Sequence, residues 1–346
     1  MDEQFDVVVV GGGTAGLSAA LTLGRARRSV LVIDDGAPRN APARHVHNYL
    51  GREGVAPGDL LAAGRAEVAG YGGKVVTGTV TSTQPLDGRG NTGGFAVELA
   101  DGRAVRARRL LVTTGLVDEP PDLPGVAQLW GREVLHCPYC HGWEVRDQAI
   151  GVLATSQMGV HQALLFRQWS ADMTLFTHTA PAPGPAAREQ LTARGIRVVT
   201  GEVAALEVTD DRLTGVRLRS GEVVPRHAVV VMPRFHARAD VLATLGLRPT
   251  ELRVDGNVIG SYVPADATGA TSVPGVWVAG NVTDPQAGVI NTAAAGLNTA
   301  AALNADLIAE DTRHALTAHR RRSEPFSAQA ERNGGYHLQN DSRRPL

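Results

Sequence analysis

The stretch that most constrains the fold lies near the start of the chain, where an apolar run leads directly into the hexapeptide GGGTAG at residues 11–16. The run at residues 5–10 is mostly β-branched and predicts a buried strand. Residues 17–24 predict a helix, and residues 29–33 predict a second strand that ends at two aspartates. A G-x-G-x-x-G sequence between a strand and a helix, with an acid about 20 positions on, is typical of a dinucleotide-binding βαβ unit.

The residues of this unit have separate physical roles. Gly11 allows the tight turn, Gly13 lets the backbone approach a pyrophosphate, and Gly16 lets the helix pack against the strand. Phosphates bind at the helix N-terminus, and the Asp34 carboxylate can accept a hydrogen bond from a ribose hydroxyl. A glycine-rich turn without a ligand is the alternative, but the complete strand–turn–helix–strand context favours a nucleotide.

A second informative stretch is HCPYCH at residues 136–141, called here the dithiol motif, which holds the only two cysteines of the chain. Two thiols at this spacing can close a small disulfide ring, and the start of a helix lowers the pKa of a thiol. Thiol–disulfide exchange requires a thiolate, so the pattern predicts a redox-active pair, Cys137 and Cys140. A disulfide of purely structural value is less favoured, because so short a loop constrains little chain.

A zinc site is the other alternative at this motif. Zinc takes four ligands, and the chain has no second cysteine pair. The flanking His136 and His141 would have to complete the set. We therefore predict no metal here.

Length and charge narrow the classes of function. The 346 residues allow two domains, and the net charge of -1 gives no reason to expect nucleic acid or an acidic membrane as partner. The first residues lack the basic region of a signal peptide, and no apolar run approaches the length of a membrane span. We expect a soluble, cytoplasmic protein.

A second βαβ unit follows in the middle of the chain. Residues 148–154 predict a strand, 159–169 a helix and 173–177 another strand. Short strands with turns, one of them at residues 87–88, are expected before it, and a helix over 291–308 is expected near the end. Beyond Arg313 the polar, basic sequence predicts a tail without regular structure.

Residues 36–58, called here the covering loop, are rich in Gly, Pro, Arg and His and predict irregular structure over a cofactor. Its two histidines, His45 and His47, are interpreted as solvated surface groups. Glu144 and Asp147, just after the dithiol motif, could orient a histidine, but the favoured interpretation is again a solvated face.

With these pieces in order, residues 5–312 resemble thioredoxin-reductase-type flavoproteins of low molecular weight. The resemblance rests on the order and spacing of GGGTAG at 11–16, TTG at 113–115, CPYC at 137–140 and VAGN at 278–281. It implies an α/β fold of two dinucleotide-binding domains, each Rossmann-like with a three-layer ββα arrangement, the second inserted into the first. The implied boundaries are 1–117 and 241–312 for the two parts of the FAD-binding domain, 118–240 for the inserted NAD(P)-binding-like domain with the CxxC, and 313–346 for a polar C-terminal tail.

The resemblance also implies FAD as cofactor, with its ADP half at the first glycine motif and its flavin near the covering loop and the last motif. At position 281 the family pattern has Asp and this chain has Asn, so an acceptor charge is lost although a hydrogen-bond partner remains. The residues expected to hold FAD are Gly11, Gly13, Thr14, Ala15, Gly16, Asp34, Asp35, Asn40, Asn48, Thr114, Gly115, Gly280 and Asn281.

The second βαβ unit departs from the family at two points. Residues 154–159 read ATSQMG, so the side chains of Ala154 and Ser156 would stand where a pyrophosphate needs bare backbone. After the next strand, THT at 177–179 replaces the His-Arg-Arg that grips a 2′-phosphate. We therefore expect that nicotinamide binding has been lost, with a divergent NADH site as the alternative.

The sequence CPYCHGWE together with a degenerate nicotinamide site is similar to the dithiol oxidases of gliotoxin- and holomycin-type biosynthesis. This similarity implies a small-molecule dithiol as substrate, O₂ as electron acceptor and H₂O₂ as product, and the family implies a homodimer. The alternatives are a disulfide reductase fed by NADPH, ferredoxin or another flavoprotein, and a flavin-bound redox sensor.

The catalytic residues follow from the same resemblance. The substrate attacks Cys137, and Cys140 lies against the isoalloxazine ring. His136 or His141 acts as acid and base, since an imidazole exchanges protons near neutral pH. His141 is preferred, because it occupies the position of the Asp that serves as acid in thioredoxin reductases.

Overall fold

The structure, a computed structural model, describes residues 3–86 and 93–323. The chain forms two compact parts, residues 1–301 and residues 302–346, and the described portion of the second part is helical. The helices are α1 (Thr14–Arg25), α2 (Pro57–Gly70), α3 (Val126–Leu129), α4 (Pro138–His141), α5 (Met158–Phe166), α6 (Pro185–Ala193), α7 (Asp240–Ala243) and α8 (Val289–Ser323), with a 3₁₀ turn at Gly280–Val282.

The strands alternate with these helices in the first and middle parts of the chain. They are β1 (Gln4–Val10), β2 (Val30–Asp34), β3 (Lys74–Thr77), β4 (Val80–Pro85), β5 (Phe95–Leu99), β6 (Ala104–Val112), β7 (Leu116–Glu119), β8 (Val134–Leu135), β9 (Ile150–Leu153), β10 (Met173–Phe176), β11 (Arg197–Val199), β12 (Val203–Thr209), β13 (Arg212–Leu218), β14 (Val223–Pro225), β15 (Ala228–Val230), β16 (Arg234–Ala237), β17 (Thr250–Val254), β18 (Asn257–Tyr262) and β19 (Val276–Val278).

The first sheet is built around β1, in the order β3-β2-β1-β6-β5-β4, with β19 also paired to β6. Strands β3, β2, β1, β6 and β19 are parallel, while β4 and β5 continue from β6 as an antiparallel meander. The four valines at residues 7–10 are at most 5% exposed, as expected for a parallel strand that is covered on both faces. The predicted first βαβ unit is β1–α1–β2.

The second sheet is parallel throughout, in the order β11-β10-β9-β15-β8. Its strands come in sequence between β6 and β19 of the first sheet. The predicted second βαβ unit is β9–α5–β10, and a separate antiparallel sheet, β12-β13-β14, follows it. The predicted fold class is thus confirmed: two Rossmann-like α/β domains, the second inserted into the first.

The chain leaves the first sheet through β7 and returns through β16, and these two strands pair antiparallel, from Leu116 opposite Ala237 to Glu119 opposite Arg234. Together with β17 and β18 they form a four-stranded sheet. The paired strands β7 and β16 therefore lie near the predicted domain boundaries at 117/118 and 240/241, and these boundaries stay predictions.

The last helix is longer than predicted. It continues through residues 313–323, where the sequence indicated an irregular tail, so that prediction is wrong for this segment. Residues 302–323 contain neither Gly nor Pro, and three arginines lie in the last turn, where cations favour a helix C-terminus. The predicted turn at 87–88 and the tail at 324–346 lie outside the described residues. Within the described chain, the long and apolar helix that a membrane span requires is not found.

Candidate active site

One cavity of about 1270 Å³ brings the first glycine motif and the dithiol motif together. Most of the predicted site residues line it: Gly11, Gly13, Thr14, Ala15, Asp34, Asp35, Asn40, Asn48, Thr114, Gly115, His136, Cys137, Cys140, His141 and Asn281. The other two, Gly16 and Gly280, contribute through close packing. A side chain at Gly16 would collide with the carbonyl oxygen of Gly11, and a Cβ at Gly280 would lie 2.8 Å from that of Ala15.

The turn between β1 and α1 forms an open cradle. A Cβ placed on Gly13 would meet no atom within 4 Å, and this residue lines the cavity at the start of α1. Asp34, at the end of β2, accepts a hydrogen bond from the amide of Gly12 at 2.9 Å, so its carboxylate is held beside the cradle. Thr14 is hydrogen-bonded to Thr292 at 2.7 Å, a partner that the sequence pattern did not indicate.

The other predicted cofactor residues surround this cradle. Thr114 donates to the carbonyl oxygen of Arg238 at 2.5 Å, and Arg238 approaches Asp35 at 3.4 Å. The Asn281 amide donates to the carbonyl oxygens of Asp284 and Ala287, both at 2.9 Å. An aspartate carboxylate could not donate these bonds, which explains why asparagine fits at this position.

These features fit FAD. The Gly13 cradle at the N-terminus of α1 leaves the space that a pyrophosphate needs, and Asp34 offers a carboxylate to a ribose. The cavity then continues past Thr114 and Asn281 to the dithiol motif, the direction in which a flavin would extend.

Cys137 and Cys140 are joined by a disulfide, with their Cα atoms 5.3 Å apart. Cys137 caps the N-terminus of α4, and its sulfur accepts a hydrogen bond from the amide of Cys140 at 3.2 Å. Pro138 occupies the first helical position, where a missing N–H costs nothing. Two nearby aromatic residues in the sequence, Tyr139 between the cysteines and Trp143 after them, are 66% and 64% exposed. The hydrogen bond from the Cys140 amide stabilises a thiolate on Cys137 when the disulfide opens.

The two histidines of the dithiol motif lie in different surroundings. His136 stacks on Trp130, with ring centroids 5.6 Å apart, and packs edge-on against Phe235 at 6.0 Å. Burial lowers its pKa to about 4, so this ring is neutral at neutral pH. The structure therefore favours His141 over His136 as the proton carrier.

Burial also lowers the pKa of His141, while the Glu144 carboxylate acts in the opposite direction. Among the described residues, none forms a hydrogen bond with the buried Nδ1 of His141. This nitrogen is thus left for a group that enters the site.

The covering loop contacts the dithiol motif directly. The side chain of Asn48 donates to the carbonyl oxygen of Tyr139 at 2.6 Å. His47 lies between two carboxylates, with Nδ1 2.6 Å from Glu53 and Nε2 3.3 Å from Glu144. The interpretation of His47 as a solvated group is therefore wrong, because His47 is only 18% exposed; Glu144 is 39% exposed and pairs with His47.

Sequence reasoning also assigned no role to Arg39 of the covering loop. Its guanidinium forms a two-bond pair with Asp118 of β7, at 2.7 Å for each bond, and lies over the ring of Phe235. A partly buried, fork-shaped pair of this kind fixes the loop against the cavity wall. The sequence held no signal for it, because the two residues are far apart along the chain.

In the second βαβ unit, side chains near the start of α5 and after β10 form hydrogen bonds within the domain. The hydroxyl of Ser156 accepts from the amide of Met158, the first residue of α5, at 3.3 Å. After β10, His178 accepts from the amide of Val203 through Nδ1 at 3.1 Å. Arg188, the next arginine along the chain, donates to the carbonyl oxygen of Pro183. The groups that would grip a nicotinamide dinucleotide are thus replaced or used internally.

Within residues 3–86 and 93–323, no cluster of three or more His, Cys, Asp or Glu side chains could hold a metal ion. The two cysteines, which a zinc site would need as thiolates, are bonded to each other.

Comparison with known proteins agrees with this arrangement. Among relatives, the thioredoxin reductase sirT of Leptosphaeria maculans is 29% identical over 322 residues, which cover 89% of this chain and 95% of that protein. A probable thioredoxin reductase of Arthroderma benhamiae is 36% identical over 154 residues, 44% of this chain and 38% of that longer protein. Among solved structures, the crystal structure of HlmI matches with a TM-score of 0.84 and 46% identity, over 92% of this chain and 97% of HlmI.

The model of the pyridine nucleotide-disulphide oxidoreductase family matches residues 5–300. The predicted resemblance to thioredoxin-reductase-like flavoproteins and the predicted cofactor are confirmed. The chain belongs to the pyridine nucleotide-disulphide oxidoreductase family, as an FAD-dependent thiol/disulfide oxidoreductase of the thioredoxin-reductase type.

Proposed function

We propose that the protein is a dithiol oxidase, which closes a disulfide in a small-molecule dithiol and passes the electrons to O₂ with formation of H₂O₂. One observation carries this choice over a reductase. Cys137 and Cys140 line the cavity that fits FAD, whereas in the second βαβ unit the hydroxyl of Ser156 accepts from the amide of Met158, the first residue of α5.

The reaction begins with thiol–disulfide exchange at Cys137. A substrate sulfur bonds to the sulfur of Cys137, the Cys137–Cys140 bond breaks, and Cys140 leaves as a thiolate. The second substrate thiol then attacks the first substrate sulfur, which closes the product disulfide and releases Cys137 as a thiolate. Two protons and two electrons have left the substrate, and the electrons stay on the cysteine pair. The amide of Cys140, 3.2 Å from the Cys137 sulfur, stabilises the thiolate that forms there.

His141 accepts the substrate protons in this scheme. Its ring lies next to Cys140 in the chain and lines the same cavity. Burial lowers its pKa, so it is a neutral base at neutral pH, and the nearby Glu144 carboxylate favours the imidazolium once a proton arrives.

When bound, FAD supplies the two-electron step, because a flavin accepts electrons from a dithiol and returns them to O₂. The residues that would hold it are those of the Gly13 cradle, Asp34, Thr114 and Asn281. The protein's part is to place the disulfide and the flavin in one cavity.

The substrate class and assembly belong to the same proposal. The exposed ring of Tyr139, between the two cysteines, lines the cavity and offers an apolar contact to a compact substrate. The similarity of CPYCHGWE to the enzymes of gliotoxin- and holomycin-type pathways supports a natural-product dithiol. Assembly as a homodimer and a cytoplasmic location stay predictions.

Anaerobic titration of the FAD-loaded protein tests the proposal. We expect a small dithiol to bleach the flavin rapidly, NADPH to have little effect, and air to restore the colour with one H₂O₂ per dithiol. The Cys137→Ser and Cys140→Ser variants should keep their FAD and lose turnover by at least about a thousandfold, because neither can form the disulfide. Rapid bleaching by NADPH would contradict the proposal.

The second candidate is a disulfide reductase, which the names of the relatives sirT and the Arthroderma benhamiae protein favour. In that case electrons enter from NADPH or a protein donor and leave through Cys137. The same titration separates the two directions, since a reductase would show fast reduction by its donor and slow reoxidation by air.

A further inference from the structure

One face of helix α5, in the second βαβ unit, borders the cavity of the candidate active site. The residues of α5 that line this cavity are Met158, His161, Gln162, Leu165 and Phe166. Their spacing of three and four positions places them on one side of the helix. The helix therefore presents one continuous face to the cavity, and Gln162 lies in the middle of that face.

Ring contacts join α5 to the dithiol motif. Phe166, one turn after Gln162 on the same face, has its ring centroid 6.1 Å from that of Trp169. Trp169 in turn meets the ring of Tyr139 edge-on at 5.8 Å. A Cβ placed on Gly142, directly after the motif, would lie 2.8 Å from the Trp169 ring. The end of α5 is thus packed against the motif that carries the disulfide.

The side chain of Gln162 is buried without a hydrogen bond for its amino group. It is 4% exposed, and no acceptor among the described residues bonds to its Nε2. Its apolar neighbours on the cavity face, Met158, Leu165 and Phe166, have no side-chain oxygen or nitrogen to offer. A buried amide donor that stays unpaired costs stability. Gln162 therefore carries a hydrogen-bonding capacity that the chain itself does not use.

A second group of the same kind lines this cavity. Nδ1 of His141, in the dithiol motif, is also buried and without a partner among the described residues. Around the two groups the wall is largely apolar, with Trp130, Leu135 and Phe235 among its residues. An apolar wall with a few polar groups is the usual pattern of a site that orients a small molecule.

The position of Gln162 favours the substrate over FAD as its partner. The residues that would hold FAD, among them Gly13, Asp34, Thr114 and Asn281, come from β1–α1–β2 and from the segments after β6 and β19. Gln162 comes instead from the helix that packs against the dithiol motif. A molecule that reacts at the disulfide enters between this helix and the motif.

We propose that Gln162 is a specificity-determining residue, which donates a hydrogen bond from its side-chain amide to a carbonyl oxygen of the dithiol substrate. This inference rests on the proposed function and narrows its substrate class to compact, largely apolar dithiols that carry a carbonyl group near their sulfur atoms. The hydrogen bond orients the substrate while one of its sulfur atoms attacks Cys137. A dithiol without an acceptor leaves the buried amide unpaired and is discriminated against for that reason.

The test compares two dithiols that have the same number of atoms between their thiols. N,N′-dimethyl-N,N′-bis(mercaptoacetyl)hydrazine carries amide carbonyls and no N–H group, whereas 1,6-hexanedithiol carries neither. Anaerobic thiol trapping in the FAD-loaded protein, followed by mass spectrometry of the protein, gives the rate constant with which each dithiol reduces the Cys137–Cys140 disulfide. The ratio of the two rate constants is the measure, because a general change in the reactivity of the disulfide cancels in it.

Gln162→Met keeps the length of the side chain and removes its donors. We expect the ratio to fall about tenfold, with the loss confined to the dithiol that carries carbonyls. Gln162→Glu keeps the shape, replaces the amino group by an oxygen, and should lower the ratio at least as much. The matched control is Gln190→Met, which changes an exposed glutamine of α6 outside the cavity lining and should keep the ratio of the wild type.

Thermal unfolding of the FAD-loaded protein distinguishes recognition from a structural role. Gln162→Met removes an unpaired buried donor, so its Tm should rise by about 2 °C, whereas the loss of a structural hydrogen bond would lower it. The affinity for FAD and the visible spectrum of the flavin should stay at their wild-type values.

An unchanged ratio in both Gln162 variants would overturn the proposal, as would an equal loss with both dithiols. A weaker affinity for FAD or a shifted flavin spectrum would also overturn it, because the amide would then serve the cofactor. A failure of the proposed function looks different: it would appear in the wild type as fast bleaching by NADPH or as reduced flavin that air does not reoxidise. Thiol trapping depends on neither NADPH nor oxygen, so the ratio is measured in either case.

Discussion

The two βαβ units of this chain have the same topology and different chemistry. In β1–α1–β2 the turn is open at Gly13 and the following strand ends on Asp34, which accepts from a backbone amide beside the cradle. In β9–α5–β10 the hydroxyl of Ser156 occupies the first amide of α5, and the following strand is succeeded by His178, which accepts from Val203.

This difference is what we expect if the second unit keeps the fold of a nucleotide-binding unit without binding a nucleotide. A pyrophosphate is bound by free backbone N–H groups where no side chain intervenes. The hydroxyl of Ser156 adds a side chain at this turn and already accepts a hydrogen bond from one such N–H group, that of Met158. Gly159, in contrast, still permits close packing, because a Cβ there would collide with that of Ala154. The second unit therefore has the packing glycine, Gly159, but has Ala154 and Ser156 at the positions of the binding glycines.

The largest expected effect comes from substituting Gly16, the glycine at which α1 packs against the turn after β1. Gly16→Ala places a methyl group against the carbonyl oxygen of Gly11 and should lower the free energy of unfolding by about 2–3 kcal/mol, with loss of FAD. Chemical denaturation and flavin absorbance measure both. The control is Gly58→Ala in α2, where a Cβ meets no atom within 4 Å and a gain of about 0.5 kcal/mol is expected. Equal stability of the two variants would contradict this role of Gly16.

Gly13→Ala should separate binding from folding. A Cβ at Gly13 points into open space, so stability should be unchanged, while the affinity for FAD should fall by roughly 10–100-fold because the methyl group enters the pyrophosphate position. Reconstitution of the apoprotein, followed by flavin fluorescence, measures the dissociation constant. In the second unit, Ser156→Ala should leave FAD affinity at its wild-type value. A Gly13→Ala protein that binds FAD normally would remove the cradle from the proposed site.

Two substitutions in the second βαβ unit should restore the binding of NADPH only in part. Ser156→Gly combined with Thr179→Arg frees the first amide of α5 and adds a cation at an exposed position after β10. We expect about tenfold tighter binding of NADPH than in the wild type, and no gain for NADH, which lacks the 2′-phosphate. Calorimetry with both nucleotides tests this. Tight binding of NADPH to the wild type would show that the second unit is divergent but functional.

The smallest expected effect is on the pH dependence of the free energy of unfolding. Burial lowers the pKa of His178 in the folded protein, so the neutral ring is the stabilising form. The unfolded chain takes up the proton first, at a pKa of about 6.5, and the stability that His178 provides is therefore present above that pH and lost as pH falls through the folded pKa. His178→Asn keeps an acceptor for Val203 that does not titrate. Denaturation between pH 5 and 8 should show a flatter pH dependence for this variant; an identical slope would contradict the assignment.

Much of the fold could be predicted, because its signals are local. The valine run of β1, the glycine turn and the terminal Asp34 all lie within one short stretch of sequence, and period and spacing identify them. The end of α8 is harder to predict, because the segment after Arg313 is polar, which favours disorder, and also contains strong helix formers. Only contacts with the rest of the chain, or their absence, could have shown which tendency prevails.

The sequence by itself determined the α/β class, the dithiol pair and the loss of the binding glycines in the second unit, since each depends on residue type and spacing. The tertiary structure alone decided how distant segments meet. It placed Arg39 on Asp118, Asn48 on the dithiol motif, and His47 between Glu53 and Glu144. It also distinguished the surroundings of the two histidines of the dithiol motif: both line the cavity, but His136 is stacked on Trp130 and packs edge-on against Phe235. Proton affinity depends on burial and on neighbouring charges, and these are properties of the folded chain.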